Sequence, residues 1–114
     1  MGVILNIIVD IDETICDYVG ERKYPLAQPI PERIEKINAL FDKGHKITYW
    51  TARGSVTGID WFELTKTQLS AWGAKYHDLK LKKPDYDIFI CDKAISSERF
   101  FNEETNTSVL RHTS

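Results

Sequence analysis

Three short runs of strand-forming residues, VILNIIV (3–9), HKITYW (45–50) and YDIFIC (86–91), each lead directly into an oxygen-bearing side chain: Asp10, Thr51 and Asp92. The first run is apolar and mostly β-branched, Asn6 excepted. That is the pattern of a strand buried on both faces, as in a parallel sheet. Helical patterns lie between the runs. In PERIEKINALFDKG, Pro31 suits a first helical turn, and Glu32 and Glu35 complement the positive end of the helix dipole. Ile34, Ile37, Leu40 and Phe41 recur at helical spacing, and Gly44 is a natural stop. Residues 60–72 read as a second helix with Trp61, Leu64, Leu69 and Trp72 on its buried face, ended by Gly73. Residues 75–81 read as a third short strand, making YDIFIC the fourth, and residues 96–101 as a helical turn. Strands alternating with helices predict an α/β fold with a mainly parallel sheet. In such sheets ligands bind at the carboxyl ends of the strands.

The chain has 114 residues, enough for one domain. We assign that domain to residues 1–101 and read 102–114 as a polar, flexible tail. Gly20, Pro25, Pro29 and Pro31 keep residues 13–30 irregular. The net charge of −2 gives no global positive field, so neither nucleic acid nor an anionic membrane is the expected partner. Cys16 and Cys91 have no metal-type spacing and read as reduced thiols of a cytoplasmic protein. The apolar start lacks a basic n-region and a cleavage site, and Asp10 ends it well short of a membrane span.

If the strands are parallel, their polar ends share one rim. Asp10, Asp12 and Asp92 then supply carboxylates, Thr51 a hydroxyl, with Arg53 close behind, and Lys82 or Lys83 an ammonium. Crowded carboxylates repel unless a proton or cation joins them. Mg²⁺ suits an oxygen-only site and keeps room for water and a substrate phosphate. Lysine and threonine can hold the remaining phosphate oxygens. Each residue also has a plainer reading. Asp12 can cap a helix, Thr51 can end a strand, Asp92 can sit in a turn, and the lysines can be solvated charge. A calcium loop counted from Asp10 needs glycine at its sixth position, where Ile15 stands. His45, His77 and His112 share no metal spacing, and Trp50, Trp61 and Trp72 read as core or interface residues.

The series Asp10-Ile11-Asp12-Glu13-Thr14, Thr51, Lys83 before Pro84, and Asp92 resembles, in order and strand-end placement, the four motifs of the haloacid dehalogenase superfamily. Within it, WTARG and YDIFICDKA are most similar to small phosphatases associated with capsule and lipopolysaccharide biosynthesis. The resemblance implies a three-layer Rossmann-like fold with no cap domain, only a short flap at 13–30. It implies Asp10 as nucleophile, Asp12 as acid and base, and Lys83 as the catalytic lysine, in preference to Lys82. Thr14 would help fix the loop. Thr51, Ala52, Arg53 and Lys83 would bind phosphate, and Asp10, Asp12 (through its carbonyl) and Asp92 would hold Mg²⁺. Many relatives carry two adjacent acids at the fourth motif, whereas Cys91 takes the first place here.

The expected function is therefore Mg²⁺-dependent hydrolysis of a phosphomonoester, on a sugar phosphate or another small metabolite. An open site also suits a macromolecular substrate, such as a nucleic-acid end or a phosphoprotein, and homo-oligomerisation that covers the site. A different class is a non-catalytic module that accepts or binds phosphate.

Overall fold

The computed structural model describes residues 2–102, so residues 103–114 of the expected tail lie outside the described residues. The elements run β1 (Asn6–Val9), β2 (Cys16–Asp17), a 3-10 turn (Tyr24–Leu26), β3 (Gln28–Pro29), α1 (Pro31–Asp42), β4 (Lys46–Trp50), α2 (Phe62–Ala71), β5 (Asp78–Lys80) and α3 (Ser97–Asn102). The architecture is α/β with a small parallel sheet.

Both main helices end by the same local chemistry. Gly44 takes φ 98°, its N–H bonds the Phe41 carbonyl at 2.9 Å, and the His45 N–H bonds the Leu40 carbonyl at 3.2 Å. Gly73 (φ 73°) and Ala74 repeat this with Ser70 and Leu69, at 3.1 and 3.0 Å. These paired bonds satisfy carbonyls that the helix leaves without partners, and the left-handed position costs glycine little. Helix α1 starts with Pro31 and buries Ile34, Ile37 and Leu40, as its spacing predicts. Helix α2 buries Leu69 as expected, but beside it Thr65 in place of the rest of the apolar stripe. Trp61, Leu64 and Trp72 are only half-buried.

β4 is the central strand of the order β1-β4-β5, and both pairings are parallel. Ile7 is level with Ile47 and Val9 with Tyr49, and Tyr49 is level with Leu79. Helix α1 connects the first pair and α2 the second, so all three strands point their carboxyl ends at one rim. Ile47 and Tyr49 of β4 are fully buried and lie in one core with Val9, Ile34, Ile37, Leu40, Leu69 and Leu79. β1 is an edge strand. Ile8 is 61% exposed, and Val3 and Ile4 precede the strand and are exposed, so the expected burial on both faces does not hold there. A two-stranded antiparallel ribbon, β2 with β3, pairs Cys16 with Pro29 and closes the 18–27 segment into a short flap.

Residues 86–91 are not a strand, which corrects the fourth strand expected from YDIFIC. Ile88 and Ile90 are 78% and 93% exposed. The reason is connection length. The Lys83 N–H bonds the Thr51 carbonyl at 2.9 Å, which holds Lys83 at the rim where β4 and β5 end. A parallel strand must start from the opposite rim, and such a crossover takes about a dozen residues or more. Only Pro84 and Asp85 separate Lys83 from Tyr86. No described helix is long and apolar enough to cross a membrane.

Candidate functional site

The chain reverses immediately after β1. Ile11 is fully buried, and its carbonyl accepts the N–H groups of Thr14 (3.1 Å) and Ile15 (2.9 Å). Glu13 adopts φ 58°, a left-handed conformation unusual for a residue with a side chain, and such outliers concentrate at functional loops. The turn sends Asp10 and Asp12 into different surroundings.

Asp12 meets Arg53. The guanidinium places Nη2 2.9 Å from Oδ1 and Nε 3.1 Å from Oδ2, a two-pronged pair. The Tyr18 hydroxyl (2.5 Å) and the Cys16 thiol (3.5 Å) also donate to Oδ1. The remaining nitrogen of Arg53, Nη1, donates to Thr65 Oγ1 (3.1 Å) and Gln68 Oε1 (2.6 Å) on α2, and the Tyr24 ring centre lies 4.8 Å from the guanidinium carbon. Burial alone would raise the Asp12 pKa. The hydrogen bonds and charge of Arg53, helped by Tyr18 and Cys16, outweigh it and hold the carboxyl below its usual range. Burial works against the Arg53 charge as well, and Asp12 more than restores it.

The loop after β4 explains how Arg53 reaches that position. Thr51 is buried, and its Oγ1 accepts the Arg53 N–H at 3.2 Å. Gly54 follows at φ 82°, and a Cβ there would lie 2.4 Å from the Ile59 carbonyl oxygen. Only glycine fits this turn on both counts.

Asp10 faces a cleft of about 420 Å³ lined also by Glu13, Ala52, Lys83, Pro84, Asp85, Tyr86, Asp87 and Phe89. Its Oδ1 accepts the Ile11 N–H at 2.8 Å. Burial raises the Asp10 pKa, and the charges of Asp12 and Glu13 add to this. The Ile11 N–H and the Lys83 charge oppose it without cancelling it. Lys83 is anchored at both main-chain groups, since its carbonyl accepts the Ser55 hydroxyl at 2.5 Å. Its Nζ lies 3.3 Å from the Tyr86 hydroxyl and close to the Phe89 ring. Lys82 does not line the cleft; it takes φ 59° and is exposed.

Of the residues expected from sequence, Asp10, Ala52 and Lys83 line one cleft, and Asp12 lies behind it on Arg53. Thr51 and Arg53 are buried in support of the loop and are not among the cleft's lining residues. Asp92 is not brought to the cleft. It is exposed, its carboxylate lies 3.8 Å from the Cys91 thiol, and the strand that would have carried it to the rim does not form. Glu13, Asp85, Asp87, Tyr86 and Phe89 were not foreseen as lining residues. Asp85, Tyr86, Asp87 and Phe89 stand within six positions of Lys83, and that nearness in sequence is the signal that could have found them. The cleft's anionic donors are all carboxylates, a set suited to a hard cation such as Mg²⁺. They do not converge on one point: among the described residues no three His, Cys, Asp or Glu side chains form a group that would hold a metal ion. His45 and His77 serve the main chain, each accepting a backbone N–H at Nδ1 from Leu5 and Ile47.

No protein-family profile matches the sequence, and no curated protein matches it. Among solved structures, the chain is similar to a target protein from Vibrio cholerae that carries no functional name. The TM-score is 0.81 at 21% identity over 96% of both chains. At that identity the likeness establishes a shared fold and nothing about activity.

Proposed function

We propose that this protein is a phosphatase of the haloacid dehalogenase type, with a capless three-layer fold, that hydrolyses a phosphomonoester through an aspartyl phosphate on Asp10. The observation that carries this reading is the meeting of Asp10 and Lys83 in one open cleft at the carboxyl ends of parallel strands, with Asp12 two residues on. That is where ligands bind in such sheets. A carboxylate next to an ammonium is the minimum pair for in-line attack on a phosphoryl group whose charge must be neutralised.

In the first half-reaction, Asp10 Oδ forms a bond to phosphorus as the bond to the leaving oxygen breaks, and Asp12 supplies that oxygen's proton. In the second, water attacks the phosphorus of the aspartyl phosphate, Asp10 leaves as carboxylate, and Asp12 takes the proton from water. The proton gained in one turnover is spent in the next. Arg53 stabilises the ionised, proton-accepting form that Asp12 holds between the two half-reactions. Lys83 neutralises charge on Asp10 and on the phosphoryl oxygens. The Asp10 carboxylate and the Asp12 carbonyl would hold Mg²⁺, which when bound supplies further charge neutralisation. Asp92 stands apart from the cleft and takes no part in this account. The small open cleft suits a sugar phosphate or similar metabolite in a soluble cytoplasmic enzyme.

The test is Mg²⁺-dependent hydrolysis of p-nitrophenyl phosphate, followed by a panel of sugar phosphates, 3′-phosphorylated oligonucleotides and phosphopeptides. Turnover abolished by Asp10→Asn supports the reading, and retained turnover removes Asp10 from it. The distance of Asp92 from the cleft favours a second reading, a phosphate-accepting or phosphate-binding module without turnover. Binding of inorganic phosphate with no hydrolysis of any substrate would select it.

A further inference from the structure

We infer that Arg53 is a positioning residue for Asp12, with Tyr18 as its second anchor, and not a ligand of the substrate phosphate. This rests on the phosphatase reading, in which Asp12 handles the proton. A guanidinium has five N–H donors. Four of the bonds recorded for Arg53 consume four of them: Nε and Nη2 on Asp12, and Nη1 on Thr65 and Gln68. One ring, Tyr24, lies over it at 4.8 Å. The residue is 1% exposed and does not line the cleft. The fifth N–H is shut off from solvent with the rest of the side chain, so a phosphate reaches the guanidinium only if these contacts open.

Asp12 is held just as firmly. Its two oxygens accept from Arg53 on the loop after β4, and from Tyr18 and Cys16 on the flap. Gln68 extends the chain of contacts: its Oε1 accepts from Arg53 while its Nε2 donates to the Tyr24 carbonyl at 2.7 Å. Loop, flap and α2 therefore fix one carboxylate together. A carboxylate pinned by donors on three sides loses the rotational freedom that would blur proton transfer.

General acid catalysis matters for a poor leaving group and little for a good one. The experiment compares an alkyl phosphate, glucose 6-phosphate, with p-nitrophenyl phosphate for wild type, Arg53→Met, Arg53→Lys and Tyr18→Phe. Inorganic phosphate binding is measured for each by calorimetry. For Arg53→Met we expect kcat on the alkyl phosphate to fall about 100-fold. The nitrophenyl ester should lose less than about tenfold, with KM and phosphate affinity within about twofold. Arg53→Lys should recover part of the loss, because an ammonium cannot make the two-pronged contact. Tyr18→Phe leaves the ion pair intact and should show a smaller loss of the same kind, so it decides the matter if Arg53→Met does not fold. A tenfold or larger rise in KM and in the phosphate dissociation constant with kcat kept would make Arg53 a phosphate ligand. Equal losses on both substrates would also overturn the proposal. A wild type that binds phosphate but turns over neither substrate defeats the phosphatase reading and the proton-positioning role. Unchanged phosphate affinity in Arg53→Met would still exclude Arg53 as a ligand.

Discussion

Arg53 and Asp12, 41 positions apart in sequence, are joined by two hydrogen bonds of 2.9 and 3.1 Å, with no solvent exposure of the arginine side chain and 10% of the aspartate's. The pair ties the turn after β1 to the loop after β4. Removing one partner from such a pair leaves an unpaired buried charge, which costs about 3–5 kcal/mol. Arg53→Ala and Asp12→Ala should each destabilise by about that amount in urea unfolding. The double change Asp12→Leu with Arg53→Met should cost clearly less than the sum of the single changes, because neither charge is then stranded.

Asp10 and Asp12 should affect stability with opposite signs. The Asp12 pKa is lowered on folding, so its contribution is complete above the unfolded value of about 3.9 and fades as pH falls through the folded value. The Asp10 pKa is raised, so the fold is favoured while Asp10 is protonated and loses that favour as pH rises through the folded value. Without added metal, Asp10→Asn should therefore raise Tm at pH 7, and the gain should vanish towards pH 3. Thermal unfolding across pH 3–7 measures both trends.

The two cysteines should differ sharply in reactivity. Cys91 is exposed, whereas Cys16 is fully buried in the flap, and burial together with the Asp12 charge pushes its thiol up to about 12. A disulfide reagent at neutral pH should label one thiol per chain quickly and the second only after unfolding. The raised pKa also sets an alkaline limit. Stability is fully present below the ordinary thiol range near 8.5 and falls as pH climbs towards 12, because only the unfolded chain can ionise Cys16 there.

Two isoleucines in strand-like sequence should respond differently to substitution. Ile47→Ala removes a fully buried side chain from the central strand and should cost about 2–5 kcal/mol. Ile90→Asp changes a side chain that is 93% exposed and should alter the unfolding free energy by no more than about 0.5 kcal/mol. A large loss at Ile90 would mean that 86–91 packs as a strand after all.

That contrast marks where sequence reasoning succeeds and where it stops. Helix α1 begins at Pro31 and closes at Gly44 as read from its residues, because capping and helical periodicity act over a few neighbouring positions. Asp10 was legible as a site candidate because an apolar strand run ends there in charge, whereas Lys83 was singled out among its neighbouring lysines only by Pro84 and the resemblance. YDIFIC was equally strand-like locally, yet pairing depends on where the chain has just been, and Lys83 holds it at the wrong rim. The flap ribbon was hidden because its strands are two residues each and one contains Pro29.

The sequence alone determined β1 and β4, helices α1 and α2 with their glycine stops, and the placing of Asp10 at a strand end, since each follows from propensity, periodicity and charge within a short window. Tertiary structure alone decided that Arg53 turns inward to Asp12, that Thr51 supports the loop, and that Asp92 stays outside the cleft. Those outcomes depend on which distant groups become neighbours once water is excluded, and a buried guanidinium takes the carboxylate that the fold brings within reach.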